Sequence, residues 1–176
     1  MDYTVTYKKE LQRAMEMIGN NDRAIFIGYN VKYGSRANGT LTNINEDQLI
    51  ETPVAENLMV GLAIGMSLEN YIPIVFFERF DFILNAMDAI INHLDKIKEL
   101  SEGKFEPKVI IRVVVGNKKK PLFSGATHNQ NFIKAMRFLV NMKIEELTHE
   151  NEIFSIYKSA LNSKHSSIII EYKDLY

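Results

Sequence analysis

Near-continuous apolar runs alternate along the chain with longer stretches in which apolar residues recur every three or four positions. The first pattern is typical of parallel strands buried on both faces, and the second of helices that bury one face. Strands are predicted at Ala24–Gly28, Ile74–Phe77, Val109–Val115, Lys143–Leu147 and Ile168–Tyr172. Helices are predicted at Tyr7–Ile18, Val54–Leu68, Phe82–Leu100, Gln130–Val140 and Glu150–Leu161. This alternation predicts an α/β fold with a doubly wound, mainly parallel sheet and helices on both faces.

Two polar segments interrupt this pattern. One begins directly after the first predicted strand, and the other begins two residues after the strand that ends at Val115. Tyr29–Gln48 is rich in Asn and Gly and is predicted to be a long irregular loop. Asn117–Thr127 is a second predicted loop, in which the Lys118–Lys120 run is more often a solvated surface than a phosphate contact. Ligands of doubly wound folds gather at the carboxyl ends of the strands. The segments after the first three strands are therefore the predicted location of a site.

The sequence Glu51–Glu69, ETPVAENLMVGLAIGMSLE, contains the strongest helix-start signal. Thr52 is a favourable N-cap and Pro53 suits the first helical position, so Glu56 falls in the first turn of a mostly buried helix. An acidic residue there is commonly a complement to the helix dipole, worth roughly 0.3–1 kcal/mol. The alternative interpretation is a functional acid, and the residues alone leave both open.

Gly61 and Gly65 lie four positions apart inside the same predicted helix. Each glycine costs a helix about 1 kcal/mol relative to alanine. Two such glycines in one helix indicate that another backbone approaches the helix closely at this face. They also favour association with a second copy of the chain.

Length and composition limit the classes of function. A chain of 176 residues is sufficient for one domain, predicted to span residues 1–176. A net charge of −1 gives no general attraction to nucleic acid or anionic membranes, and the absence of cysteine excludes disulfides and thiolate metal sites. The first ten residues resemble no signal peptide, so a cytoplasmic location is expected.

Several motifs in this chain resemble the pyrimidine-binding domain of thiamine-diphosphate enzymes, above all transketolases and the beta subunits of the decarboxylating component of 2-oxoacid dehydrogenases. The segment ETPVAEN is similar to the family's D-T-P-[IL]-x-E, and Glu56, Gly61 and Gly65 match its E-x-x-x-x-G-Φ-x-x-G-Φ pattern, where Φ is apolar. FFERFDFILNAMDAIIN, ATHNQ and the terminal IIIEYKDLY resemble further family motifs. The motifs occur in the family's order and span nearly the whole chain.

The resemblance implies a role for each matching residue. Glu56 is the acid that activates the cofactor through the aminopyrimidine ring, and Val54, Glu56, Phe82 and Asn85 belong to the cofactor-binding surface. Phe82 takes the position of a ring that stacks on the pyrimidine. Asn85 stands where the family usually has Gln, so its shorter side chain has less reach. His128 faces the thiazolium ring and the substrate as a proton donor or acceptor.

Each of these assignments has a simpler alternative. A single loop histidine such as His128 is commonly only solvated, and Phe76 and Phe77 are expected to fill the core. Asp88 and Asn92, one helical turn apart, are expected to be structural. The remaining histidines match no motif and have no metal-ligand spacing, and they are His93, His149 and His165.

The family holds the diphosphate and Mg²⁺ on a separate domain, marked by a Gly-Asp-Gly sequence that occurs nowhere in this chain. Beta subunits normally continue into a further C-terminal domain, and this sequence, which ends at Tyr176, is expected to be a stand-alone pyrimidine-binding domain or one cut at a domain boundary. The resemblance therefore implies a partner subunit or domain that carries the diphosphate and Mg²⁺ site. The chain is expected to form a homodimer alone and a heterotetramer with this partner. The predicted function is the pyrimidine-binding subunit of a split enzyme acting on a 2-oxoacid or a ketose phosphate by decarboxylation or by ketol or acyl transfer. A non-catalytic scaffold of the same fold is the alternative.

Overall fold

A computed structural model of the chain describes residues 6–117 and 125–176. Six parallel strands form one sheet in the order β2-β1-β3-β4-β6-β5. Their bounds are β1 Ala24–Gly28, β2 Leu49–Glu51, β3 Ile72–Phe77, β4 Ile110–Val115, β5 Lys143–Glu146 and β6 Ser167–Tyr172. The predicted doubly wound parallel sheet is confirmed.

Helices cover both faces of this sheet. The α-helices are α1 Tyr7–Gly19, α2 Arg36–Gly39, α3 Glu56–Leu68, α4 Ile97–Leu100, α5 Ile133–Leu139 and α6 Glu150–Asn162. Short 3₁₀ segments occur at Glu46–Gln48, Phe80–Ala86, Gly125–His128 and Lys173–Leu175, and a π-helix at Ala89–Leu94. Within the described ranges, no helix is both long and apolar enough to cross a bilayer.

The core has two halves, one on each side of the sheet. Alternate residues of one strand enter opposite halves, so Phe77 packs with α3 while Phe76 packs with α1 and α6. Both rings are almost fully buried, as the sequence predicts. Because each strand is covered on both faces, its sequence is nearly all apolar.

The stretch that the sequence predicts as one helix, Phe82–Leu100, is helical but not a single regular α-helix. It is 3₁₀ at Phe80–Ala86, π-helical at Ala89–Leu94 and α-helical at Ile97–Leu100. The Asn57 side chain of α3 accepts the backbone N–H of Ala89 at 3.2 Å. A side chain inserted into the backbone hydrogen-bond ladder interrupts regular helix.

The predicted start of α3 at Thr52 and Pro53 is also wrong. The backbone N–H of Thr52 donates to the carbonyl of Gly28 at 3.0 Å and so continues the pairing of β2 with β1. Thr52 precedes a proline, which disfavours the helical conformation. The chain therefore stays extended until Ala55, which caps α3 without a side-chain hydrogen bond, and Glu56 opens the helix.

The Tyr29–Gln48 segment is more structured than predicted. It contains α2 and the Glu46–Gln48 turn, and the short strand β2 that follows it was not predicted. Three residues are too few to show a period in the sequence, and β2 owes its conformation to pairing with β1. Of the second predicted loop, the Lys118–Lys120 run lies outside the described residues.

Candidate functional site

The site lies where α3 meets the carboxyl ends of the strands. Because the chain crosses the end of the sheet extended from Thr52 to Ala55, Glu56 is delivered to the sheet edge at the first position of α3. Only 4% of Glu56 is exposed. A carboxyl group this buried requires polar partners or a ligand, since desolvating it is costly.

Asn85 is the first polar partner of that carboxyl group. Its side-chain Nδ2 donates to Oε2 of Glu56 across 3.4 Å, from the 3₁₀ segment that packs on α3. The shorter amide therefore does reach the carboxylate, although the bond is long. Asn85 is exposed and Glu56 is buried, so the pair lies at the boundary between the core and the protein surface.

Phe82 and His128 lie together beside this pair. Their rings meet edge to face, with centroids 5.2 Å apart and planes at 85°. Oγ1 of Thr127 lies 3.1 Å from Nδ1 of His128. His128 is thus half-buried against an aromatic ring, which argues against the alternative of a freely solvated histidine.

Val54 lies at the rim of the same region. It belongs to the extended crossing that precedes α3, and 72% of it is exposed. An exposed valine beside a buried carboxyl group offers an apolar surface to a ligand or a partner. The structure therefore brings Glu56, Phe82, Asn85 and His128 into one cluster, with Val54 on the segment that leads into it.

Tyr29 is a residue of this site that the sequence interpretation missed. Its ring centroid lies 6.4 Å from that of Phe82, and its buried hydroxyl has no hydrogen-bond partner among the described residues. Burial, together with the carboxylates of Glu56 and Glu78, raises the pKa of the Tyr29 hydroxyl, which therefore stays protonated at neutral pH. The signal in the sequence was its position directly after the glycine that ends β1.

The loop that carries Tyr29 is held by Glu51 at the end of β2. Its carboxylate accepts backbone N–H groups from Asn30 at 2.6 Å, Val31 at 3.1 Å, Lys32 at 2.8 Å and Tyr33 at 3.2 Å. Charge-assisted bonds to backbone donors are among the stronger hydrogen bonds in proteins. The missed strand thus orders one wall of the site.

Gly61 and Gly65 lie on the outer face of α3, away from the sheet. A Cβ built on either glycine would meet nothing within 4 Å. Among residues 6–117 and 125–176, the expected close backbone approach therefore does not occur. The prediction that α3 is mostly buried is also wrong for this face, because Leu58 is 53% and Leu68 39% exposed.

The other sequence predictions at this edge are structural in nature. Nδ2 of Asn92 donates to Oδ1 of Asp88 at 2.9 Å, and Asp88 also lies 3.3 Å from His93. Across the described part of the chain, no cluster of three or more metal-ligating side chains is present. The cluster around Glu56 could hold a planar, nitrogen-containing ring. It offers the buried carboxyl group of Glu56, the amide of Asn85, the aromatic face of Phe82 and the Tyr29 hydroxyl, which has no partner among the described residues.

Comparison with known sequences shows that the chain is similar to beta subunits of the pyruvate dehydrogenase E1 component. The chain is 27% identical over 179 residues to the mitochondrial pyruvate dehydrogenase E1 component subunit beta of Saccharomyces cerevisiae, covering 98% of the chain and 48% of that protein. It is 28% identical over 171 residues to the corresponding subunit of Chlorokybus atmophyticus, covering 94% of the chain and 50% of that protein. The chain thus spans about half the length of these curated relatives.

Solved structures show the same fold. A split-gene transketolase described as an inactive beta4 tetramer matches with a TM-score of 0.74 at 18% identity, covering 96% of this chain and 52% of that one. Transketolase from Campylobacter jejuni matches with a TM-score of 0.76 at 14% identity, covering 96% of this chain and 26% of that one. The model of the transketolase pyrimidine-binding domain matches residues 3–176, and the chain belongs to that family.

Proposed function

We propose that this chain is the pyrimidine-binding part of a thiamine-diphosphate enzyme and that Glu56 activates the cofactor. The observation that carries the proposal is the buried Glu56 carboxyl group, which contacts Asn85 at 3.4 Å beside the Phe82 ring at the carboxyl edge of the sheet. Family membership and the relatives named as pyruvate dehydrogenase subunits support it.

The residues of the site have complementary roles. Glu56 holds a proton at the ring nitrogen of a bound aminopyrimidine, and Asn85 keeps the Glu56 carboxyl group oriented. Phe82 supplies an apolar face for the ring, and Val54 covers its edge. His128, held against Phe82, donates or accepts a proton at the substrate. The bound cofactor supplies carbanion chemistry, and the chain supplies orientation and electrostatics.

A partner completes the site. The chain contains no Gly-Asp-Gly sequence, and the diphosphate and Mg²⁺ are therefore held by a partner subunit or domain. The apolar outer face of α3, with its two glycines, is the surface that such a partner covers. The substrate is a 2-oxoacid, as the names of the curated relatives suggest, or a ketose phosphate, as the solved transketolases suggest.

The decisive experiment is Glu56→Gln in the complex reconstituted with the partner. Glutamine keeps the size of the side chain but cannot exchange a proton with the ring nitrogen. Exchange of the thiazolium proton, followed by NMR, and turnover should both fall by roughly 10²-fold or more, which is typical of losing an acid–base group. Cofactor affinity should change little.

Glu69→Gln is the matched control, since Glu69 is exposed at the opposite end of the same helix. It should leave exchange and turnover unchanged. If Glu56→Gln exchanges the thiazolium proton as fast as the native complex does, Glu56 is a helix-entry acid only. The alternative of a non-catalytic scaffold would then replace the proposal.

The isolated chain should bind thiamine diphosphate weakly. Most of the affinity for such a ligand comes from charge-assisted bonds to the diphosphate and from its metal, for which this chain has no motif. Titration calorimetry with the chain alone and with the reconstituted complex measures the difference. Tight, Mg²⁺-dependent binding by the chain alone would show that no partner is needed to hold the diphosphate.

A further inference from the structure

The segment that carries His128 is held in place by contacts from outside it. Gly125–His128 is a single 3₁₀ turn, which provides few backbone hydrogen bonds of its own. Among the described residues, the hydrogen bonds of the turn itself are local, such as Asn129 Nδ2 to the carbonyl of Gly125 at 3.2 Å. The position of the His128 ring must therefore depend on neighbouring elements.

Asp81 provides one of these external contacts. It is 7% exposed and lies between Phe80 and Phe82 in the 3₁₀ segment after β3. Its Oδ1 accepts Nε2 of Gln130 at 2.8 Å, and its Oδ2 accepts the backbone N–H of Gln130 at 3.3 Å. No ion pair to Asp81 is found in the part of the chain that the structure describes. The hydrogen bonds of the Asp81 carboxylate therefore go to Gln130, two residues after His128.

Gly116 provides a contact from the opposite side. A Cβ at this position would lie 1.9 Å from the carbonyl oxygen of His128 and 2.7 Å from the Asn129 side chain. The backbone that leaves β4 therefore runs directly against the backbone of His128. Further along the same segment, the Phe132 ring packs edge to face against the Phe80 ring, with centroids 5.8 Å apart.

We propose that Asp81 is the positioning residue for His128: through Gln130 it presses the histidine segment against Gly116 and holds the imidazole edge-on to Phe82. The same 3₁₀ segment thereby carries both the ring that His128 contacts and the carboxylate that fixes its backbone. The orientation of the His128 ring relative to Phe82 is fixed as a result. The importance of this arrangement for turnover rests on the proposed function.

The first test is Asp81→Asn in the chain alone. Asparagine keeps the shape but carries no charge and has one acceptor oxygen where the carboxylate has two, so the bonds from the two N–H groups of Gln130 are weakened. The imidazole proton signals of His128, assigned with a His128→Gln variant, should shift in NMR as the ring leaves Phe82. Hydrogen exchange at the Gln130 amide should quicken about tenfold, the change expected for losing one charge-assisted hydrogen bond.

Asp95→Asn is a close structural control. Asp95 accepts the backbone N–H of Asn141 at 2.7 Å, Nδ2 of Asn141 at 3.0 Å and the backbone N–H of Met142 at 3.0 Å. It makes the same kind of carboxylate contact, but to a segment remote from His128. Asp95→Asn should lower stability comparably and leave the His128 signals in place.

Gln130→Ala is the second variant, because Gln130 is exposed and its change leaves the core intact. It removes only the side-chain donor and should shift the His128 signals in the same direction by a smaller amount. Unchanged His128 signals in both variants, with Asp81→Asn merely less stable, would overturn the positioning role.

Turnover of the reconstituted complex separates this inference from the proposed function. If Asp81→Asn moves His128 and changes the pH dependence of turnover as His128→Gln does, both stand. If the ring moves but neither variant affects turnover, Asp81 positions His128 and the catalytic role of His128 is wrong. If His128→Gln lowers turnover but Asp81→Asn leaves the pH profile native, the positioning inference fails.

Discussion

Tyr29 shows how a single residue reveals a ligand surface. Leaving a buried hydroxyl without a hydrogen bond costs about 1–3 kcal/mol, and folded proteins rarely do so without a reason. The Tyr29 hydroxyl is buried near Glu56, and its ring faces Phe82. We interpret it as a donor kept for a group of the bound cofactor or for the Glu56 carboxyl group once the cofactor is in place.

Tyr29→Phe is expected to separate folding from binding. The free energy of unfolding in urea should stay the same or rise, because the variant removes a polar atom that has no partner among the described residues. Cofactor affinity of the reconstituted complex should fall about tenfold, the loss expected for one hydrogen bond. Tyr33→Phe is the control, since Tyr33 is 65% exposed. A loss of stability in Tyr29→Phe would show that its hydroxyl already serves the fold.

The helix α3 has two faces with different roles. The inner face buries Met59, Val60, Ala63 and Ile64 in the core and brings Glu56 to the sheet edge. The outer face exposes Leu58, Gly61, Gly65 and Leu68. Two glycines that cost helix stability and meet nothing among the described residues are best explained by a surface that closes only on assembly.

Leu58→Glu should therefore abolish association while leaving the fold intact. The side chain is 53% exposed, so a charge there is tolerated in the separate chain but is costly in an apolar interface. Sedimentation of the chain alone and with the partner would show loss of the dimer, of the complex, or of both. Leu100→Glu, at a leucine 73% exposed on α4, should change neither. If the native chain is already monomeric, and Leu58→Glu binds the partner as well as the native chain does, this face has another role.

At the scale of the whole molecule, a buried ionic network joins the neighbouring strands β4 and β6 to α6 behind them. Nε of Arg112 in β4 donates to Oε1 of Glu171 in β6 at 2.8 Å, and both side chains are fully buried. The Tyr157 hydroxyl of α6 and the Tyr176 hydroxyl also donate to Glu171. The network lies on the face opposite α3, so it stabilises the sheet without touching the site.

Arg112→Met should destabilise the chain strongly. Removing one partner of a buried ion pair leaves the other charge unpaired, a loss of about 3–5 kcal/mol in the free energy of unfolding. Arg137→Met is the control, because the Arg137–Glu146 pair is largely exposed and such pairs contribute only ~0–1 kcal/mol. Urea unfolding of both variants measures the difference. Equal small losses would show that hydration or rearrangement compensates for the buried charge.

The sequence by itself determined most strands of the sheet and pointed to the candidate site residues. Ile74–Phe77 and Ile168–Tyr172 are recognisable because strands buried on both faces are nearly all apolar, with Glu171 as the exception that the ion pair with Arg112 satisfies. Glu56, Phe82, Asn85 and His128 are recognisable because they fall in motifs of the family, and the structure brings them together. Their catalytic roles remain predictions.

Only the tertiary structure decided the features that depend on contacts distant in sequence. The strand β2 exists because β1 pairs with it, and α3 begins at Glu56 because Thr52 continues that pairing. The Phe82–Leu100 stretch loses its helical regularity where Asn57 takes the N–H of Ala89. Local preference is worth a few tenths to one kcal/mol per residue, and contacts of this strength override it. The position of Tyr29 directly after the end of β1 places it near a site, but the roles of Tyr29 and Asp81 arise from what lies beside them in the fold.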